Sequence, residues 1–235
     1  ALIAEPVSAS SLAALPGSPY WPMIRDICDR YGVLLIADEV ITGFGRTGQM
    51  FAVEHWDIVP DLMTVAKGIT SSYLPFAVSI ATNRVAEVFA GEKNIFRQAL
   101  TFGGHPACAS AALTNIGIIE SEGLIENSAK MGAYFLDKLK VVQDRHSIIG
   151  DVRGLGVLLG IEIVKNPETK ESFPDNSDIA EILNKSFRSH DLILLASNKG
   201  ISIGPPLCIQ KNEVDYICES IDKSLTMAET ELSLT

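Results

Sequence analysis

The sequence has no long apolar run, no paired cysteines and no basic cluster, and each absence removes a class of function. No stretch approaches the roughly 18 consecutive apolar residues of a membrane-spanning helix, which argues against a membrane role. The four cysteines, Cys28, Cys108, Cys208 and Cys218, form no C-x-x-C pair, and neither they nor the four histidines fall at zinc-ligand spacing. They read as reduced thiols, so a cytoplasmic setting is expected. Lysine and arginine total 19 against 29 acids, a net charge of -10, and the basic residues do not cluster. A nucleic-acid binder needs a basic face, so that class is disfavoured. Internal repeats, low-complexity segments and linkers are missing too. The opening ALIAEPV has neither an initiator Met nor a basic, signal-like start. It reads as a strand entered midway, so the chain is expected to be a piece of a longer protein.

What is present is ordinary globular material: 235 residues, 47% hydrophobic and 20% charged, enough for one large domain or two modest ones. Up to about residue 120, short apolar runs alternate with helical stretches. LIAE (2–5), VLLIAD (33–38), LMTVAK (62–67) and FAVSIA (76–81) read as strands. Residues 19–31 place Met23, Ile24, Ile27, Cys28 and Tyr31 at helical spacing, with Gly32 as the stop. Near-continuous apolar strands joined by helices predict an α/β fold, a mostly parallel sheet with helices on both faces. Pro106 opens a helix of small residues, and residues 124–145 continue as a long amphipathic helix. VRGLGVLLGIEIV then reads as one strand with glycines, followed by a polar loop, a helix (177–189), the strand LILLA (192–196), the turn SNKG and a last helix (211–231). This second part is expected to be a smaller α+β domain, dividing the chain into residues 1–122 and 123–235.

The stretch VLLIADEV (33–40) runs from a buried strand into two adjacent carboxylates, Asp38 and Glu39. In many nucleotide hydrolases such a strand end holds Mg²⁺ and a catalytic water. That chemistry needs a loop G-x-x-x-x-G-K-[ST] to cradle the phosphates. Lys67 precedes a glycine instead of following one, and GFGRTG (43–48) carries Arg46 where lysine is required. The other reading is an organic cofactor with a cationic ring. Lys67, in TVAKGI, ends an apolar strand, where an amine is costly unless neutralised or bonded. A desolvated lysine can form a Schiff base with pyridoxal phosphate, and a carboxylate such as Asp38 can keep the ring nitrogen protonated. In open α/β sheets ligands bind outside the carboxyl ends of strands, where both residues would lie. A structural ion pair would use the same two residues.

Further motifs bear on the choice. AEPV (4–7), ICDRYGVLLIADEVITGFGRTG (27–48), PDLMTVAKGI (60–69), TFGGHPACASAA (101–112), VRGLGVLLGIEIV (152–164) and GPPLCI (204–209) lie in one order across nearly the whole chain. Together they closely resemble the class III aminotransferases, pyridoxal-phosphate enzymes of fold type I. The resemblance implies Lys67 as the Schiff-base lysine and Asp38 as the partner of the pyridine nitrogen. It implies that Val40 packs on one face of the ring and that Glu5 is the family's active-site glutamate. Thr101 would reach the cofactor phosphate of a neighbouring subunit, which implies a homodimer with shared active sites. Arg46 and Thr47 fall in a loop usually near the subunit interface. His105 stands where many members carry Asn, and reads as an interfacial hydrogen-bonding residue. Arg153 reads as a structural residue of the small domain.

Two departures from the family pattern matter. Many members that bind an α-carboxylate carry Arg before the Pro-Pro pair, and here the position is Ser202 in GISIGPPL. Without that bidentate clamp the expected donors are amines or ω-amino acids, with a keto acid such as pyruvate as acceptor. The family chain is also roughly twice as long. Its first half supplies a phosphate-holding loop and a ring-stacking aromatic, so this chain alone is expected to bind cofactor poorly. Other readings on the same residues are an aminomutase, decarboxylase or racemase, or a non-catalytic fragment acting as an assembly module.

Overall fold

A computed structural model describes residues 1–91 and 93–232. The chain divides into two compact units, Ala1–Val7 with Pro16–Ile125, and Ser8–Leu15 with Glu126–Thr235.

The first unit carries a four-stranded sheet in the order β1 (Leu2–Ala4), β2 (Leu35–Asp38), β3 (Leu62–Val65), β4 (Val78–Ala81). β1, β2 and β3 are parallel, and β4 returns antiparallel to β3. Helix α1 (Tyr20–Tyr31) connects β1 to β2 and stops at Gly32, whose φ of 64° is the left-handed conformation that glycine adopts without penalty. The short α2 (Asn83–Ala86) follows β4, and α3 (Pro106–Ser121) begins with Pro106 just inside the helix.

The apolar face expected for α1 is only partly the buried one. Trp21 and Cys28 are buried, whereas Met23 and Tyr31 are 58% and 72% exposed. The stripe Trp21, Arg25, Cys28 faces inward because both ends of it are tethered. The Trp21 indole donates to the Pro6 carbonyl at 3.2 Å, and Arg25 reaches Asp61 at 3.1 Å. Asp61 is itself buried at the start of β3. Its carboxylate also accepts the Leu35 backbone N–H at 2.8 Å and a bond from Arg84 on α2. One carboxylate thus ties α1, α2 and the starts of β2 and β3 together.

The second unit carries the sheet β5 (Ile149–Leu155), β6 (Leu158–Ile163), β8 (Gly200–Ile203), β7 (Leu195–Ser197), antiparallel throughout. Around it pack α4 (Leu124–Gln143), α5 (Ile179–Ser189) and α6 (Lys211–Glu231), with Phe135, Leu139, Ile161, Leu183, Phe187, Ile201, Ile221 and Leu225 in the core. The stretch expected as one strand, VRGLGVLLGIEIV, is a hairpin. Gly156, with φ of 52°, makes its turn, and a Cβ on Gly132 of α4 would lie 2.0 Å from the Gly156 carbonyl. The expected strand at 192–196 is shorter and shifted, and SNKG leads into a second strand, β8, that the sequence reading passed over.

The excursion 8–15 lies along this second sheet. Arg153 donates to the Leu12 carbonyl at 3.1 Å and pairs with Asp151 at 2.7 Å and Glu162 at 2.8 Å. Gly160 leaves room for the strap, since a Cβ there would fall 2.1 Å from the Leu12 oxygen. Arg153 is therefore engaged in holding this segment.

Asp61 gives the fold a pH dependence. Burial pushes its carboxyl up, but the bonds from the Leu35 N–H, Arg84 and Arg25 outweigh this and hold it below the ordinary carboxylate range. A lowered folded pKa gives stability that is present above the ordinary range and lost as pH falls. Asp61→Asn is expected to cost about 3 kcal/mol at neutral pH by leaving the arginines uncompensated. The gap from wild type should narrow toward pH 4 in urea unfolding, and a gap constant with pH would contradict this account.

Candidate active site

The carboxyl ends of β1, β2 and β3 carry Glu5, Asp38 with Val40, and Lys67. The register makes these ends neighbours: Ala4 pairs with Ala37, and Asp38 pairs with Thr64. Glu5 therefore leaves β1 level with Asp38, and Lys67 lies just past the end of β3 on the adjacent strand. Asp38, Val40 and Glu5 are half-buried. The Asp38 carboxylate accepts the Val40 N–H at 3.1 Å and the Thr64 hydroxyl at 3.2 Å, and both bonds fall on Oδ1. These bonds fix the plane of the carboxylate and direct Oδ2 elsewhere.

Glu39, next in sequence, has a different fate. Successive strand residues point to opposite sides, and Glu39 turns into the loop that follows β2, where it is fully buried. Its Oε1 accepts the Val53 N–H at 2.9 Å, and the Thr42 hydroxyl donates to Oε2. Burial raises its pKa, only partly offset by the Thr42 hydroxyl and by the Val53 and Ala52 N–H groups. Glu39 therefore organises residues 40–54 and does not face the strand ends. Within that loop Thr47 is buried and bonded through its carbonyl to His55 at 3.0 Å, and burial lowers the pKa of Arg46.

Lys67 departs from expectation in one respect. A desolvated amine was expected, yet Lys67 is exposed. β3 ends at Val65, and Lys67 opens a single 3-10 turn, Lys67–Thr70, with φ of 43°. Ser71 and Ser72 are also left-handed, with φ of 48° and 62°. The following Gly68 is pressed against residues 43–44, since a Cβ there would lie 3.3 Å from the Phe44 Cβ. From the α3 side, Asn115 donates to the Gly68 carbonyl at 2.8 Å and the Ile69 carbonyl at 3.1 Å, and accepts from the Ser71 hydroxyl at 2.6 Å.

Thr101 stands apart from the strand ends, exposed on the segment that leads into α3. His105, expected at an interface, caps α3 by accepting the Ala107 N–H at 3.2 Å. Ser202 is exposed on β8, beside Gly160 and Leu195 in register. Thr64 and Asn115 were not singled out from the sequence. Asn115 had a visible signal, a lone amide in the otherwise apolar or small stretch PACASAALTNIGII. Among the described residues no group of His, Cys, Asp and Glu could hold a metal ion, and no helix is long and apolar enough to cross a membrane.

The three parallel strands thus bring a lysine and a carboxylate to neighbouring strand ends, the place where open α/β sheets bind ligands. Residues 1–225 match the family "Aminotransferase class-III", and the chain belongs to it. It is 38% identical over 247 residues to the taurine--pyruvate aminotransferase of Bilophila wadsworthia, covering 100% of this chain and 53% of that one. An (S)-enantioselective omega-transaminase from Thermomicrobium roseum superposes with a TM-score of 0.93 at 38% identity, over 97% of this chain and 51% of that one. An amine transaminase from an uncultivated Pseudomonas species, solved in its PLP-bound form, gives a TM-score of 0.92 at 33% identity, over 96% and 52%. The chain thus spans about half the length of the relatives it matches. Enzymes of this class depend on pyridoxal 5'-phosphate. The residues present fit its ring end: an oriented carboxylate on one strand end, and a lysine in a constrained turn on the next.

Glu39 offers a direct test of the loop. A raised folded pKa means that stability declines as pH rises through the ordinary glutamate range. Glu39→Gln keeps an acceptor for the Val53 N–H, and its NH₂ takes the place of the oxygen that accepts the Thr42 hydroxyl, which can turn to accept instead. Its stability relative to wild type is expected to rise from pH 5 to pH 8, and the substitution to be stabilising there. Glu39→Ala strands the Val53 N–H and is expected to cost about 2 kcal/mol or more at both. Denaturant midpoints for the three proteins at the two pH values check this, and a Gln variant destabilised at pH 8 would contradict it.

Proposed function

We propose that this chain carries the catalytic lysine and the ring-binding carboxylate of an aminotransferase that moves an amino group from an amine or ω-amino acid to a keto acid such as pyruvate. The observation that carries the reading is the β2–β3 register, which sets Asp38 and Lys67 on adjacent strand ends in a chain of this family. The first unit, residues 1–7 with 16–125, then forms the C-terminal part of the cofactor-binding domain, and the second, residues 8–15 with 126–235, the small domain; the expected division at 122/123 is shifted by a few residues and interrupted by the 8–15 segment. When bound, pyridoxal phosphate supplies an aldehyde carbon that takes up amines and a ring that withdraws electrons from the adjacent carbon.

Lys67 would hold the cofactor at its aldehyde end, and its amine would serve there to take up and return a proton. Asp38, its carboxylate oriented by the Val40 N–H and the Thr64 hydroxyl on Oδ1, would keep the ring nitrogen protonated through a charge-assisted bond. Val40 packs against the ring, and Glu5 closes the row of strand ends. Thr101, exposed in this chain, serves the phosphate of a second copy, so the working assembly is a homodimer with shared sites. Ser202 leaves no guanidinium fork on its strand, which favours donors lacking a carboxylate at that point. Taurine--pyruvate transfer, the activity named for the Bilophila relative, fits a donor of that kind.

Borohydride trapping tests the assignment. The chain extended to the relatives' full length, incubated with pyridoxal phosphate and then reduced, is expected to carry its label on the peptide containing Lys67. Lys67→Ala should remove that label, and Asp38→Ala should weaken it. In the chain extended to the relatives' full length, Lys67→Ala is expected to cut amine-to-pyruvate transfer by at least about 10²-fold. Unchanged transfer in that variant, or a label confined to other lysines, would sink the reading.

A further inference from the structure

The turn that begins at Lys67 is strained, and the structure shows what holds it. A left-handed backbone is unfavourable for a non-glycine residue because Cβ crowds the following carbonyl, and Lys67, Ser71 and Ser72 all adopt it. Lysine has no short polar side chain with which to stabilise that conformation locally, so the support must come from elsewhere. It comes from α3. The buried residues Cys108, Ala112 and Ile119 define the inward stripe of this helix, and Asn115 continues that stripe as its amide-bearing member. Small side chains at 108 and 112 let the helix come close enough for an amide to reach backbone.

The orientation of the Asn115 amide follows from its partners. The Gly68 and Ile69 carbonyls can only accept, so the NH₂ group faces them at 2.8 and 3.1 Å, and the oxygen is left for the Ser71 hydroxyl at 2.6 Å. Three of the four hydrogen-bonding positions of the amide are spent on the residues directly after Lys67. On the other side of the turn, the crowding at Gly68 by Gly43 and Phe44 prevents retreat. A turn clamped from both sides has one way to place its first residue.

We propose that Asn115 is a positioning residue for Lys67. It holds the 3-10 turn 67–70 between its left-handed ends, Lys67 and Ser71–Ser72, and thereby fixes the backbone from which the Lys67 side chain leaves the strand ends. The inference rests on the assignment of Lys67 as the attachment lysine, and it extends that assignment to a residue on a different element that itself touches neither substrate nor cofactor.

The test separates the hold on the turn from the chemistry it serves. Backbone hydrogen exchange is followed in the peptide spanning 67–74 and in a control peptide spanning 33–38, for wild type, Asn115→Ala, Asn115→Asp and Ser71→Ala. Asn115→Asp keeps an acceptor for Ser71 but loses both donors. Both Asn115 variants are expected to speed exchange in 67–74 by about 10-fold or more, with the control peptide unchanged, and Ser71→Ala should have a smaller effect. Borohydride trapping with pyridoxal phosphate, read as the ratio of label on Lys67 to label on surface lysines across pH, should fall in both Asn115 variants and change its pH profile. Unchanged exchange in 67–74 overturns the proposal. So does loosened exchange with an unchanged labelling ratio and pH profile, because Asn115 would then be structural only. Should Asn115→Ala fail to fold, Asn115→Asp and Ser71→Ala decide the matter. A wild-type protein of the relatives' full length that takes no label at Lys67 overturns the attachment role itself, while the exchange arm still reports whether Asn115 holds the turn.

Discussion

The parallel pairing of β2 with β3 is the constraint on which the rest depends. Two short apolar strands are locked in one register at both ends. At the amino end, the buried Asp61 carboxylate bonds the first residue of β2 and draws in arginines from α1 and α2. At the carboxyl end, Thr64 reaches across to Asp38, and the Glu39 N–H donates to the Thr64 carbonyl at 2.9 Å. A slip by one residue would turn every side chain to the opposite face, burying Asp38 and expelling Glu39. The candidate site is therefore a consequence of register, and Asp61, far along the strand from any chemistry, is one of the groups that set it.

The acids of this unit divide by what surrounds them. Asp61 is buried with cations, so its charge is stabilised and its carboxyl lies low. Glu39 is buried with uncharged donors alone, so its carboxyl rises. Asp38 is half-buried, with two neutral donors on a single oxygen. On the proposed reading, a group that receives a cationic ring nitrogen needs orientation without a resident cation and a face left open, and of the three only Asp38 has that combination. Adjacent residues of like chemistry thus take separate work, one facing the strand ends and one knitting the loop behind them.

Much of this was legible in the sequence, and the limits have physical causes. The strands β1 to β4 were visible because each is a short apolar run bounded by charged or turn-forming residues. Asp38 and Lys67 were visible because charge at the end of such a run demands an explanation. β8 was passed over because four residues flanked by glycine and proline carry too little periodicity. The hairpin at 149–163 was read as one strand because its turn, Gly156-Val157, lacks the polar residues that usually mark turns. The face of α1 was misjudged because Trp21 and Arg25 are drawn inward by tethers to Pro6 and Asp61, distant in sequence. Asn115 escaped because a lone amide in a helix gains meaning only when the backbone it bonds is known. The excursion of residues 8–15 onto the second sheet has no local signature, since it depends on the trough left by Gly160 and on Arg153, far along the chain.

The exposure of Lys67 sharpens what the rest of the assembly has to supply. Attachment chemistry needs an amine that is both aimed and, for part of the cycle, neutral. Aim is provided within this chain, by a 3-10 turn with left-handed ends pinned between α3 and residues 43–44. Exclusion of water is not, since Lys67 and the whole stretch Thr101–His105 lie open. β1 pairs only with β2, and Ile3, Met23 and Tyr31 present apolar surface on the same unit. On the proposed reading, the chain, which spans about half its relatives' length, holds the turn that carries Lys67 without holding cover for its amine. Positioning and desolvation, usually discussed as one property of an active-site lysine, are separate in this chain.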